Sequence, residues 1–118
     1  MPSVVQITAS LAQDSDPFAQ SAHALMLQRS PLMMCVTLEQ LRRGASMAVA
    51  DCLRMERTMV RRCFEHGEVL EGVRAVVIDK DNRPAWRPST LAQVTPDMVE
   101  RFFTPAWPQH AHPLRTLE

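Results

Sequence analysis

At 118 residues and 13.3 kDa, with 46% apolar positions, the chain has the size of one ordinary domain and enough apolar material for a core without cross-links. Thirteen basic residues balance thirteen acidic ones, which excludes both the basic footprint of a nucleic-acid binder and the highly charged composition of a disordered chain. Three cysteines, Cys35, Cys52 and Cys63, leave one over after any pairing and lack close metal-ligand spacing, so a reducing compartment, the cytoplasm, is expected.

The first residues place Val4, Val5, Ile7 and Leu11 at helical spacing and read as the interior of an amphipathic helix, as though the domain began before Met1. They lack the basic-then-apolar pattern of an export signal, and no stretch reaches the ~18 uncharged apolar residues of a membrane span. Asp16-Pro17, Ser30-Pro31 and Thr95-Pro96 each set a side-chain oxygen at a helix N-cap and proline at the first helical position, where its missing N–H costs nothing. After Asp16, Phe18, Ala22, Leu25 and Met26 form one stripe. After Ser30, Leu32, Cys35, Val36, Leu38 and Leu41 form another, which Gly44 is placed to end. The longest pattern runs from about Met47 to His66, with Val49, Cys52, Leu53, Val60, Cys63, Phe64 and either Met59 or Glu56 on one face, and Arg54, Arg57, Arg61, Arg62 and Glu65 on the other.

Gly67 ends that helix. Val69 to Lys80 fits a strand by its Val and Ile content and a helix by its spacing; a lone strand would lack a partner, so a helix is expected. Residues 81–94 read as an ordered loop with Trp86 as its anchor. Thr95 to Phe103 predicts the last helix, and 104–118 an irregular tail. The expected architecture is thus all-α, with five to six helices over residues 1–103.

Few side chains suggest chemistry. Arg54, Arg57 and Arg61 share a helix face and could grip phosphates, although pairing with Asp51, Glu56 and Glu65 explains them better. His110 and His112 lack a third metal ligand. The cysteines lie on apolar faces, where the thiol behaves as a small hydrophobe. Glu65, Glu68 and Glu71 could line a turn as acid/base groups, but Glu68 and Glu71 read more simply as first-turn acids of a new helix. No glycine-rich phosphate cradle and no nucleophile elbow is present, so no catalytic residue, metal ligand or resident cofactor is expected in this chain.

Two stretches carry a resemblance. They are Ser30-Pro31 through Gly44, and Cys52 to Glu56 followed by Glu71-Gly72-Val73-Arg74-Ala75, Asp79-Lys80-Asp81 and Pro84-Ala85-Trp86-Arg87-Pro88. In order and spacing they resemble the C-terminal helical part of the 3-hydroxyisobutyryl-CoA hydrolase branch of the crotonase (enoyl-CoA hydratase/isomerase) superfamily, through Phe102-Phe103. Many relatives carry Lys where Cys35 stands and Phe where Val69 stands. In that family the glycine-lined oxyanion hole and catalytic carboxylates lie in an upstream spiral of strands and helices that this sequence does not hold. The resemblance therefore implies a C-terminal helical fragment that is inactive alone. Its parent would hydrolyse (S)-3-hydroxy-2-methylpropanoyl-CoA to the free acid and CoA in valine breakdown. The implied partners are the acyl-CoA substrate, the crotonase core and oligomer subunits, with no nucleic acid and no membrane. Lys80 matches a lysine that in crotonase relatives reaches CoA phosphates; a surface ion pair with Asp79 or Asp81 is its alternative. Two other readings stay open: a fragment of an enoyl-CoA hydratase or isomerase, and a free-standing helical interaction module using Met33 and Met34 or Met55 and Met59.

Overall fold

The computed structural model describes residues 3–118, and everything stated of the structure concerns these. Six α-helices form and, among the described residues, no strand: α1 Val4–Gln13, α2 Pro17–Met26, α3 Pro31–Gly44, α4 Val49–His66, α5 Glu68–Val73 and α6 Pro96–Arg101. The starts follow the capping chemistry. Asp16 Oδ1 accepts from the Phe18 N–H at 2.8 Å, Ser30 Oγ from the Met33 N–H at 3.2 Å, and Thr95 Oγ1 from the Met98 N–H at 3.3 Å. Met1 and Pro2 lie outside the described residues, and α1 is not a helix interior from Ser3 onward. Ser3 and Gln6 form a reciprocal capping box that starts it at Val4.

Gly67 sits at φ +95°, ending α4 and immediately preceding α5, a conformation that an L side chain adopts only with strain. From α5 the chain continues as a single π-helical turn, Arg74–Ile78, so the ambiguous segment is helical. Gly44, by contrast, ends α3 without a left-handed turn.

The core joins α3, α4 and the residues after α6. Leu32 and Val36 are fully buried against Met59, Phe102 and Phe103, with Met33, Met55, Cys63, Val94 and Val99 around them. Arg43 ties α3 to α6, with Nη2 2.5 Å from Glu100 Oε2 and its guanidinium 4.2 Å above the Phe103 ring. The apolar face expected of α4 is corrected here. Of those residues only Met59, Cys52 and Cys63 turn inward to any degree, while Val49, Leu53, Val60 and Phe64 are exposed, Val49 by 76%. At 100° per residue the inward Met55, Met59 and Cys63 lie roughly 120° around the helix from this second stripe, and a single hydrophobic face cannot represent both. Phe18 and Leu25 of α2 and Leu41 of α3 are likewise exposed.

The result is a slab of 49 × 36 × 23 Å with a radius of gyration of 16.1 Å, against about 13.5 Å for a compact chain of this length. Its accessible surface is 7989 Å², whereas mass scaling gives about 6,450 Å². The helices form a layer with apolar side chains on its outside.

The tail is irregular apart from a 3-10 turn, Gln109–Ala111, yet it is docked. Arg54 donates to the Leu114 and Leu117 carbonyls, Arg57 and Arg61 each stand 5.1 Å from the Trp107 ring centre, and Arg62 donates Nε and Nη2 to the Thr104 carbonyl.

Candidate functional site

The residues that carry the resemblance meet at the start of α5 and in the loop beyond it. Glu68 is buried, and its carboxylate accepts from the Ser30 hydroxyl on one oxygen and from the Arg87 N–H at 2.9 Å on the other. One turn on, Glu71 holds Arg74 in a fork, at 2.9 Å from Nε and 2.6 Å from Nη2, and also accepts from the Ala85 N–H at 3.1 Å. These bonds hold the Glu71 carboxyl down to about 2, with Arg74 the larger cause. Arg74 Nη1 reaches Asp79 at 2.8 Å and Asp81 at 3.0 Å. Three carboxylates thus share one guanidinium, which they push further toward its charged form, Glu71 most strongly. Trp86 closes the arrangement: its Nε1–H donates to the Gln28 carbonyl at 3.0 Å, and its ring lies where a Cβ on Gly72 would come within 3.3 Å. Gly72 is small because the indole packs on the helix backbone there.

Inside this latch the loop presents Lys80 at φ +55° and Asn82 at φ +54°. The turn is held by the Asp79 N–H on Arg74 O at 2.7 Å and the Asn82 N–H on Ala75 O at 2.9 Å. Lys80 is exposed and, among the described residues, makes neither an ion pair nor a side-chain hydrogen bond, because Asp79 and Asp81 are both turned to Arg74. Among the described residues no ion pair joins it to Asp79 or Asp81. Arg83 and Arg87 extend exposed from the same loop with no ion pair among the described residues; nothing in their spacing singled them out.

The other candidates separate. Glu65, Glu68 and Glu71 do not converge: Glu65 pairs with Arg61 at 3.1 Å and Arg62 at 2.8 Å on the far side of Gly67. Glu68 and Glu71 are both first-turn acids of α5, as expected; Glu68 is in addition a buried tie, and its burial is not encoded in its spacing. Arg54 pairs with Asp51 at 2.7 Å, and with Arg57 and Arg61 it grips the tail rather than offering a free phosphate site. Glu56 instead accepts from Gln40 at 3.2 Å. His112 is buried edge-on to Trp107, and its Nδ1 accepts from the Leu114 N–H; among the described residues no cluster of three metal-ligating side chains occurs. Cys35, Cys52 and Cys63 are free and half-buried, and burial pushes the Cys35 and Cys63 thiols up, away from reactive thiolate. Met59 is buried in the core, and Met33 and Met55 are partly buried against it. Met34 and Val69, with Met33 and Leu38, line an open groove of about 1060 Å³ bordered by α1, α3 and α5 and reaching Trp86. No helix among the described residues is long and apolar enough to cross a membrane.

A strand-free helical layer, latched by Glu71, Arg74 and Trp86, is a piece of crotonase architecture: the family model for enoyl-CoA hydratase/isomerase matches residues 1–103, and the chain belongs to that family. Among curated proteins it is similar to the mitochondrial 3-hydroxyisobutyryl-CoA hydrolases of Gallus gallus, 39% identical over 103 residues (87% of this chain, 27% of that protein), and of Homo sapiens, 36% over 100 residues (85% and 26%). Among solved structures it is similar to a carnitinyl-CoA dehydratase from Mycobacterium thermoresistibile, with TM-score 0.82 and 38% identity over 92% of this chain and 31% of that one. An enoyl-CoA hydratase from Rhodobacter sphaeroides 2.4.1 gives TM-score 0.83 and 33% identity over 89% and 32%. The chain spans about a quarter of the length of the curated relatives it matches. The cytoplasmic expectation is corrected by these relatives, which are named as mitochondrial. Free cysteines report only a reducing environment, and addresses of that kind are written in N-terminal leaders rather than in helical layers.

Proposed function

We propose that this chain is the C-terminal helical layer of a 3-hydroxyisobutyryl-CoA hydrolase, an enzyme that cleaves 3-hydroxyisobutyryl-CoA to 3-hydroxyisobutyrate and CoA in valine breakdown. The observation that carries the reading is the latch. The residues that build it, Glu71, Gly72, Arg74, Asp79, Asp81 and Trp86, are those by which the sequence resembles this branch. The hydrolases of several vertebrates are 35–39% identical to this chain over 100–103 residues, which supports the same reading. In this reading the exposed apolar stripes and the groove beside α5 pack on the catalytic core and on neighbouring subunits, and Lys80 meets a phosphate of the CoA moiety.

No acid/base pair or oxyanion cradle is built by the described residues, so the 118-residue chain by itself is expected to be inactive. The test is chromatographic measurement of CoA release from 3-hydroxyisobutyryl-CoA, since the three free thiols would consume a thiol reagent. Turnover by the purified 118-residue chain overturns the assignment of catalysis to the core. For the protein in its source cells, an antibody against residues 46–88 should detect a species several times heavier than 13.3 kDa. That species, once isolated, should hydrolyse the thioester. Hydration of crotonyl-CoA in place of hydrolysis would favour the hydratase reading, which the two solved relatives support by their names.

A further inference from the structure

We propose that Arg74 is a positioning residue for Lys80: by holding Asp79 and Asp81 it withdraws the two carboxylates that flank the lysine, and so reserves the Lys80 ammonium for a phosphate-bearing ligand. The proposal rests on the reading of Lys80 as a CoA contact, but it concerns a different residue and a separable property.

An Asp-Lys-Asp sequence on an exposed turn should by itself silence its lysine. Two carboxylates one residue away would compete with any incoming phosphate, and exposed pairs of this kind form and break readily. Here they are occupied. Arg74 Nη1 stands 2.8 Å from Asp79 Oδ2 and 3.0 Å from Asp81 Oδ2, while Nε and Nη2 are fixed on Glu71. The planar guanidinium, with five N–H donors in a fixed fork, serves all three carboxylates from one orientation. Asp81 Oδ1 also accepts from the Arg83 N–H at 2.8 Å, which leaves its Oδ2 to Arg74. The backbone adds its part: Lys80 is kept left-handed, a conformation unusual for lysine, by the hydrogen bonds of Asp79 and Asn82 back to Arg74 and Ala75. The ammonium is thereby the member of the triplet left without a partner among the described residues.

Lys80 is the only lysine in the chain, so protein grown with carbon-13 lysine gives a single ε-methylene NMR signal that reports on it directly. The experiment compares the parent 118-residue chain with Arg74→Gln, with the Asp79→Asn/Asp81→Asn pair, and with all three changes together. Without ligand, Arg74→Gln should move the Lys80 signal as the freed carboxylates turn to it, and the triple variant should return it. Titrated with coenzyme A, Arg74→Gln should bind about three- to tenfold more weakly, the scale of one or two exposed ion pairs, and the triple variant should recover to within about twofold. An Arg74 that only held the loop together would not be rescued by removing aspartates. An unmoved signal in Arg74→Gln, or a triple variant as weak as the single one, overturns the proposal. Should Arg74→Gln fail to fold by circular dichroism, the aspartate pair alone decides: with Arg74 in place it should leave the Lys80 signal where it is, and a large displacement refutes the shielding. If coenzyme A leaves the parent's signal unmoved while the ligand-free pattern holds, the phosphate reading of Lys80 fails and the role of Arg74 stands.

Discussion

Glu68 offers the sharpest test of how the layer is held. Its carboxylate is buried, 4% exposed, beside a Ser30 that is 6% exposed, and it links the first residue of α5, the cap of α3 and the backbone of Arg87. Glu68→Ala removes two hydrogen bonds to a charged acceptor, each contributing about 1.5–3 kcal/mol, and leaves the Arg87 N–H without its acceptor. Relief of the carboxylate's own desolvation offsets part of this. A net loss of about 2–4 kcal/mol is expected, or about 8–15 °C in Tm for a chain of this size. Glu68→Gln retains an oxygen for Arg87 and an amide that can donate to Ser30 Oγ, so it should cost under about 1.5 kcal/mol. Urea titrations followed by circular dichroism, and by fluorescence of the adjacent Trp86, measure both. If Ala is tolerated within about 0.5 kcal/mol, or if Gln is as damaging as Ala, Glu68 is not the tie described.

Leu32→Ala empties a fully buried site in the core and should cost about 3–5 kcal/mol by the same denaturation measurement. Acid should loosen the latch: Glu71 titrates at about 2 folded against an ordinary 4.5, so its contribution is complete above about pH 4.5 and is lost as pH falls from there toward 2. Asp81, lowered by the Arg83 N–H and Arg74, adds in the same direction, and helicity followed through acid titration should fall in that window. Trp107→Ala removes the ring on which Arg57 and Arg61 rest and should speed proteolysis within residues 104–118 while leaving the 3–103 helices intact, as read by limited digestion and mass spectrometry. Val60→Ser with Phe64→Ser, on the outward stripe of α4, should change stability by about 0.5 kcal/mol or less, and should reduce binding of an apolar dye.

What sequence could reveal divides along physical lines. The Asp-Pro, Ser-Pro and Thr-Pro starts were legible because a cap is a local interaction, complete within four residues. Gly67 as the end of α4 was legible for the same reason. The two-sided character of α4 was not, since periodicity reports that Val49, Leu53, Val60 and Phe64 are apolar and not which of two apolar stripes meets the core. Glu68 was legible as a first-turn acid, but its burial was not, because it depends on Ser30, 38 positions earlier, and on the return of the loop at Arg87. The role of the arginine face of α4 was hidden similarly, because Arg54 is matched by carbonyls about sixty residues away. The resemblance located the latch residues as a pattern, whereas their geometry explains the pattern: Gly72 for the indole, Glu71 for Arg74, and the two aspartates for its remaining edge.

Gly67 also sets a lever. Residues 68–78 beyond it form a rod of about 16 Å at 1.5 Å per residue, joined to the 18-residue α4 through one glycine whose added Cβ would meet nothing within 4 Å. A 10° change at the pivot would carry the far end of the rod through about 3 Å, against the packing of the buried Glu68 and Ala75. The tie to Ser30 acts at the pivot end and the Trp86 contact at Gly72 midway along, so rotations grow toward Val77 and Ile78 and the turn that carries Lys80. A substitution at Gly67 should therefore be felt most at the distal turn, many ångströms from the altered residue.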